Sequence, residues 1–267
     1  MMKFFRHSTG GRRRLSPVSS LVYSENPAQR SSRYRRRGCL SFWLASDFSP
    51  FGLLGLNECL LAKCAITQHR WLVKQQSSED QSGWLLSASE IRLSLTNPDG
   101  TRVDDVYQRD GMKVELNSGS PYILLRRRGE QTNRLLEKYD SLMRTGDEGG
   151  RPKDPDLFLC VIAYNLFPDI TITVPINQGS TNEHSFNLRT KDYIYWVSTL
   201  KQQGLDYHYC KVYLSTTDNV ADDIAMVLGM PFFRKYYIEL EASIAPGSHA
   251  PNAKYIRVAT RKEKCDQ

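Results

Sequence analysis

Leu205-Asp-Tyr-His-Tyr-Cys-Lys-Val-Tyr-Leu214 and, further on, Phe232-Phe-Arg-Lys-Tyr-Tyr-Ile-Glu-Leu-Glu-Ala-Ser-Ile244 decide the reading of the fold. Both segments have strand composition, with aromatic and β-branched residues mixed with Lys or Arg. Between them, Val220 to Leu228 reads as a helix. Asp222 and Asp223 fall in its first turn, where the dipole favours negative charge, behind an Asp218 or Asn219 cap. Successive side chains of a strand point to opposite faces. Tyr207, Tyr209, Lys211 and Tyr213 therefore share one face of the first strand. His208, Cys210, Val212 and Leu214 form the other, which has the character of a core face. On the second strand Phe233, Lys235, Tyr237, Glu239 and Glu241 share a face, and Phe232, Arg234, Tyr236, Ile238 and Leu240 share the opposite one. If the two strands are neighbours, five aromatics and two lysines form a single outward surface.

Working upstream, Lys191 to Gln203 reads as a short helix with Gly204 just past its end, although its Tyr and Ile content leaves a strand open. His184, Phe186 and Leu188 alternate, as do Ile170, Ile172, Val174 and Ile176. Pro175 cannot donate to a ladder, so that strand is at an edge or ends there. Leu157 to Tyr164 is a continuous apolar run of strand length, the pattern of a strand covered on both faces. The polar Gly/Pro loop 146–156 precedes it. Before that loop, residues 130–145 carry Leu135, Leu136, Tyr139, Leu142 and Met143 at helical spacing. Ile91, Leu93 and Leu95 make a half-buried strand that turns at Asn97-Pro-Asp-Gly100 into Thr101 to Tyr107. Met112, Val114 and Leu116 alternate again, and Asn117-Ser-Gly119 turns into Pro121 to Leu125. Lys254 to Ala259 is the last strand. Strands dominate and pair mostly as hairpins. The expected class is α+β, with a mostly antiparallel sheet or partly open β-barrel and about three helices.

The charge is unevenly placed. The chain of 267 residues has a formal net charge of +7, yet residues 1–46 hold ten basic side chains and one acid, Glu25. The rest holds 26 of the 36 basic and 28 of the 29 acidic side chains. Residues 1–66 are accordingly read as a basic, disordered N-terminal extension, and 67–267 as one β-rich globular domain. Three readings of the extension stay open: an organelle-targeting presequence, a basic arm that touches nucleic acid non-specifically, and residues added by an upstream start codon. Any anion-binding surface elsewhere must be a local patch.

Six cysteines are too few and too scattered for a disulfide framework. Cys160 and Cys210 lie in apolar strand patterns, where a reduced, buried thiol is expected. That points to an intracellular, reducing compartment. Cys59, Cys64 and His69 have a spacing that suggests metal, but no fourth ligand other than carboxylates follows within forty residues, so neither a metal nor a cofactor is expected. The Phe51 to Ile66 stretch is interrupted by Asn57, Glu58 and Lys63 and is not read as a membrane span.

The chain lacks a phosphate loop, a Gly-x-Gly-x-x-Gly fingerprint, a His-Glu-x-x-His helix and a Gly-x-Ser-x-Gly elbow. No catalytic residues are assigned. The aromatic and basic strand surface is the composition that single-stranded nucleic acid uses, with bases stacked on rings and phosphates on Lys or Arg. On this reading Tyr207, Tyr209, Tyr213, Phe233 and Tyr237 stack bases, and Lys211, Lys235, Arg126, Arg127 and Arg128 meet phosphates. The expected function is a non-enzymatic binding protein with little sequence specificity. The alternative is a β-rich protein-interaction or assembly module, or a homo-oligomer, with the same aromatics as interface anchors.

Overall fold

The longest hairpin carries the plainest alternation. In β4 (Trp84–Thr96) Ile91, Leu93 and Leu95 are buried and their neighbours are half-exposed or exposed. The turn is held by Asp99, whose Oδ1 accepts from the Thr101 amide at 2.8 Å and the Thr101 hydroxyl at 2.6 Å, and by Gly100 at φ 84°. The chain returns as β5 (Arg102–Leu116), one long strand where the sequence suggested two. The computed structural model describes residues 36–44, 52–56, 64–75, 83–96, 99–126, 157–175, 183–202, 204–217, 219–221, 223–244 and 251–263.

Around this hairpin a seven-stranded sheet forms in the order β12-β6-β13-β5-β4-β8-β9. The added strands are β6 (Ile123–Arg126), β8 (Asp169–Pro175), β9 (Glu183–Leu188), β12 (Leu214–Thr217) and β13 (Ile224–Leu228). Two of its pairings are parallel, β12 with β6 and β13 with β5; the others are antiparallel. A five-stranded antiparallel sheet has the order β2-β1-β14-β15-β3, from β1 (Arg36–Leu44), β2 (Gly52–Leu56), β3 (Ala65–Gln75), β14 (Tyr236–Ile244) and β15 (Pro251–Arg261). A three-stranded sheet has the order β10-β11-β7, from β7 (Leu157–Leu159), β10 (Ile194–Gln202) and β11 (Leu205–Val212).

The protein is thus β-rich with few helices, and its described strands close no barrel. The described α-helices are α1 (Cys160–Leu166) and α2 (Met230–Lys235). The helix expected at 130–145 and the loop 146–156 lie outside the described residues. Residues assigned by their charge to the extension belong in part to the fold. Arg36 to Phe42 pair one to one with Ile244 to Ile238, which makes β1 a neighbour of central β14.

Four elements differ in type from the sequence reading. Val220 to Leu228 is no helix; its apolar half is β13, whose Met226 and Val227 pair with β5 on one side and β6 on the other. A run buried on every side has no polar face from which to read a period. Lys191 to Gln203 is mainly strand β10, in keeping with its Tyr, Ile, Trp, Val and Thr content. Conversely, Leu157 to Tyr164 is a strand for three residues only and then turns into α1. The expected second strand begins as α2, with Gly229 as its N-cap and Pro231 in the first turn, where proline's preset φ suits a helix start.

The core between the sheets is aromatic. Phe232 and Phe233 of α2 are both buried, and Phe233 meets Phe42 of β1 edge-on at 5.2 Å. Phe232 reaches the seven-stranded sheet through Phe186 at 5.7 Å, and Phe186 also meets Tyr236 at 5.4 Å. Gly229 before α2 packs against backbone. A Cβ there would stand 2.2 Å from the Tyr122 carbonyl oxygen and 2.4 Å from that of Ser120. That approach allows the Asn117 amide to donate to Leu228 at 3.0 Å and the Met230 amide to Ser120 at 2.9 Å. No helix among the described residues is long and apolar enough to cross a membrane.

Candidate interaction surface

The two aromatic strand segments do not become neighbours. The first is β11 of the three-stranded sheet, and the second is split between α2 and β14 of the five-stranded sheet. Phe233 is 1% exposed inside the core. Tyr237 is 0% exposed, and its hydroxyl donates to Glu239 Oε1 at 2.7 Å. Neither ring has a face left for a base. Lys235, at the end of α2, donates to Asp192. Arg126 ends β6 and donates to the Ala221 carbonyl at 3.3 Å. Arg127 and Arg128 lie outside the described residues.

The first segment keeps its expected face. Tyr207, Tyr209 and Lys211 alternate along β11 and are half-buried. Tyr213 follows the strand, and its ring lies 5.6 Å from Tyr122 and 5.5 Å from Tyr195, so it is a packing residue. Burial pushes the Tyr195 hydroxyl up to about 12, against the charge of Arg234, whose guanidinium stands 5.6 Å over that ring.

What the strand reading missed lies beside β11. In the β10–β11 pairing Leu200 stands opposite Tyr207 and Ser198 opposite Tyr209, while Thr199 stands opposite His208. The register slips between Trp196 and Ser198, so Val197 is the extra residue of a bulge. Trp196 is 60% exposed and Leu205 also 60%, with Val197 and Leu200 exposed beside them. The Trp196 indole donates to the Thr199 hydroxyl at 3.3 Å, and that oxygen lies 2.8 Å from His208 Nδ1. β10 is an edge strand of its sheet.

α1 packs against the same small sheet. Ala163 is its one buried residue, and Val161, Ile162 and Tyr164 are exposed. Tyr164 donates from its hydroxyl to the Ile194 carbonyl at 3.3 Å, which ties the helix to the start of β10. A Cys160–Cys210 disulfide ties it to β11. The two thiols expected to be reduced are therefore bonded to each other, because α1 brings Cys160 to the inward face of β11, beside the Cys210–Phe158 pair. A chain that turns from β7 into a helix at Cys160 folds back over that face, and a straight strand would not.

The surface is mainly apolar, and its charged side chains are Lys211 on β11 and the Lys201–Asp206 pair at the hairpin end. Lys201 and Asp206 stand 3.9 Å apart and balance each other. Among the described residues no group of three or more His, Cys, Asp or Glu is placed to hold a metal ion. The sequence signal for this surface was the Trp196-Val-Ser-Thr-Leu200 run. A helical reading of Lys191 to Gln203 gives these residues no strand edge to present.

No family model matches the chain, and no curated protein matches it. Among solved structures it is similar to one described as "Crystal structure of edgp", with 7% sequence identity and a TM-score of 0.35. That likeness covers 85% of this chain and 54% of the other, so the chain spans about half the length of the structure it matches. At that TM-score the likeness carries no argument about function.

Proposed function

We propose that the chain is a non-enzymatic assembly module that joins a second copy of itself through the edge of β10 and the apolar side chains around it. One observation carries the reading. Of the nine large apolar side chains exposed among the described residues, Val161, Ile162, Tyr164, Trp196, Val197, Leu200 and Leu205 all belong to α1 and the β10–β11 hairpin. By the β10–β11 register Trp196 lies on the Cys210 face and Leu200 and Leu205 on the Tyr207 face, so these side chains flank the edge strand on both sides. Exposed apolar residues gathered along one edge mark a contact site, whereas scattered ones do not. An edge strand adds unpaired N–H and C=O groups that another strand can complete. Antiparallel pairing of β10 with its copy brings the same patch together across a two-fold axis. At the hairpin end Lys201 and Asp206 balance each other, so that end brings no excess of like charge to such a contact. Trp196 is the natural anchor, since tryptophan is over-represented among residues that dominate interfaces. The disulfide supports an oxidising compartment, where such bonds persist.

Sedimentation velocity over rising concentration tests the reading. We expect a monomer–dimer equilibrium that Trp196→Ser weakens by more than about 2 kcal/mol, the usual loss at an interface anchor. An unchanged monomer across the series sinks it. The single-stranded nucleic-acid reading keeps only Tyr207, Tyr209 and Lys211 on one face, and a different result would favour it. That result is oligonucleotide binding that falls steeply with salt and is lost in Tyr207→Ala with Tyr209→Ala.

A further inference from the structure

Between β9, the 3-10 turn Thr190–Asp192 and the junction of α2 with β14 lies a cavity of about 450 Å³. Its charged lining is Arg189, Lys191, Lys235 and Asp192, so three cations against one carboxylate leave a net charge of +2, with His184 counted as neutral. The carboxylate is already engaged. Asp192 Oδ2 accepts from the Lys235 ammonium and from the Arg189 backbone amide at 2.7 Å, and both members of the ion pair are largely buried. Among the described residues, by contrast, neither Arg189 nor Lys191 has an ion-pair partner. The pocket therefore holds an internal pair and two surplus cations.

The frame is fixed before any ligand arrives. The Thr190 amide donates to Asp169 Oδ1 at 3.1 Å, which anchors the 3-10 turn to β8. The Tyr236 hydroxyl both donates to the Asn187 carbonyl and accepts from the Asn187 amide, each at 3.0 Å, which joins β14 to β9 across the two sheets. The Asn187 side-chain oxygen accepts from the Thr171 hydroxyl at 2.8 Å, so its NH2 group is left as a donor. Desolvation holds His184 below its ordinary value, which favours the uncharged ring.

We propose that this pocket binds a small phosphorylated molecule, with the phosphate dianion on Arg189 and Lys191. Two surplus cations match the charge of a phosphate monoester, and a guanidinium matches its oxygens two at a time. A carboxylate would use only one of the cations. The volume falls within the ordinary range of small-molecule sites and exceeds what a bare phosphate fills, which leaves room for an organic body. The site is separate from the β10–β11 surface and does not rest on its role.

The test is a titration of the full chain with inorganic phosphate, followed by amide NMR at constant ionic strength, with sulfate and acetate as controls. We expect saturable shifts at His184 and Arg189 to Asp192, weaker for sulfate and weakest for acetate. Arg189→Gln with Lys191→Gln should weaken phosphate binding at least about tenfold, since each charge-assisted hydrogen bond is worth roughly that factor. Arg189→Lys should retain part of it. Both side chains are exposed, so the variants should keep the parent's melting temperature, which is measured alongside. Shifts of equal size with all three anions, no saturable shift with phosphate, or a folded double variant that binds phosphate as the parent does would each overturn the proposal.

Discussion

At the residue scale the most consequential group outside the two sites is Arg257 on β15. Its Nη2 lies 2.7 Å from Glu241 Oε2, and its Nη1 lies 3.4 Å from Glu239 Oε2. Glu239 is 1% exposed, and its other donor among the described residues is the Tyr237 hydroxyl. Two carboxylates in the middle of a sheet are tolerated because one guanidinium serves both. Removing one partner of a buried pair strands the other charge, at about 3–5 kcal/mol, whereas replacing the whole set is often neutral. We expect Arg257→Met to lose that much in urea unfolding, and a triple variant that adds Glu239→Gln and Glu241→Gln to recover most of it. A triple variant no more stable than the single one would mean that Arg257 acts through packing alone. Alternation assigned Glu239 and Glu241 to one face with Tyr237, and that much was legible. Their burial was not, because a charged strand face reads as solvated unless its cross-strand partner is known.

At the scale of elements, Lys113 ties β5 to the segment that leads into β13. Its backbone amide donates to the Asp223 carbonyl at 3.1 Å, and its ammonium donates to the Asp223 carboxylate. The hydrogen bond from Lys113 is the main cause that holds the Asp223 carboxyl below its ordinary value. A carboxylate with a depressed folded pKa stabilises the fold above its unfolded value and loses that stabilisation as pH falls through the folded one. The gap in melting temperature between the parent and Lys113→Met should therefore be full at neutral pH and shrink below about pH 4. A gap that stayed constant through that range would show that the ion pair is not its source. The sequence pattern places Asp223 in the first turn of a helix, whereas its partner lies 110 positions away. That is the general pattern of what was legible. Strands with one wet face, such as those of Ile91 to Leu95 and Ile170 to Val174, declare themselves by period. Segments buried all round, such as Ala225 to Leu228, have no period to show. The candidate surface was missed for a related reason. An exposed apolar strand such as Trp196 to Leu200 differs from a buried helix only in what lies against it.

At the scale of the whole molecule, the charge run and the fold draw different boundaries. The sequence alone draws the break at residue 66, past a basic run that ends at Arg37 and an apolar stretch, 51–66, with no clear period. Strand pairing puts β1 and β2 in the five-stranded sheet, and residues 35–267 form one compact unit. The cost of cutting at each boundary follows from what each cut exposes. A chain that starts at residue 67 loses seven residue pairs between β1 and β14, which turns a central strand into an edge. It also uncovers Phe233, which packs on Phe42, and loses the buried Leu40 and Ser41. Losing a large buried aromatic contact and its neighbours costs about 3–5 kcal/mol on the scale of core truncations, and an exposed apolar edge invites aggregation. A chain that starts at residue 35 keeps every described strand. We expect the 35–267 fragment to melt close to the full chain and the 67–267 fragment to melt well below it or to aggregate. Equal melting of the two fragments would show that β1 contributes nothing to the sheet, and the boundary drawn from composition would then be the right one.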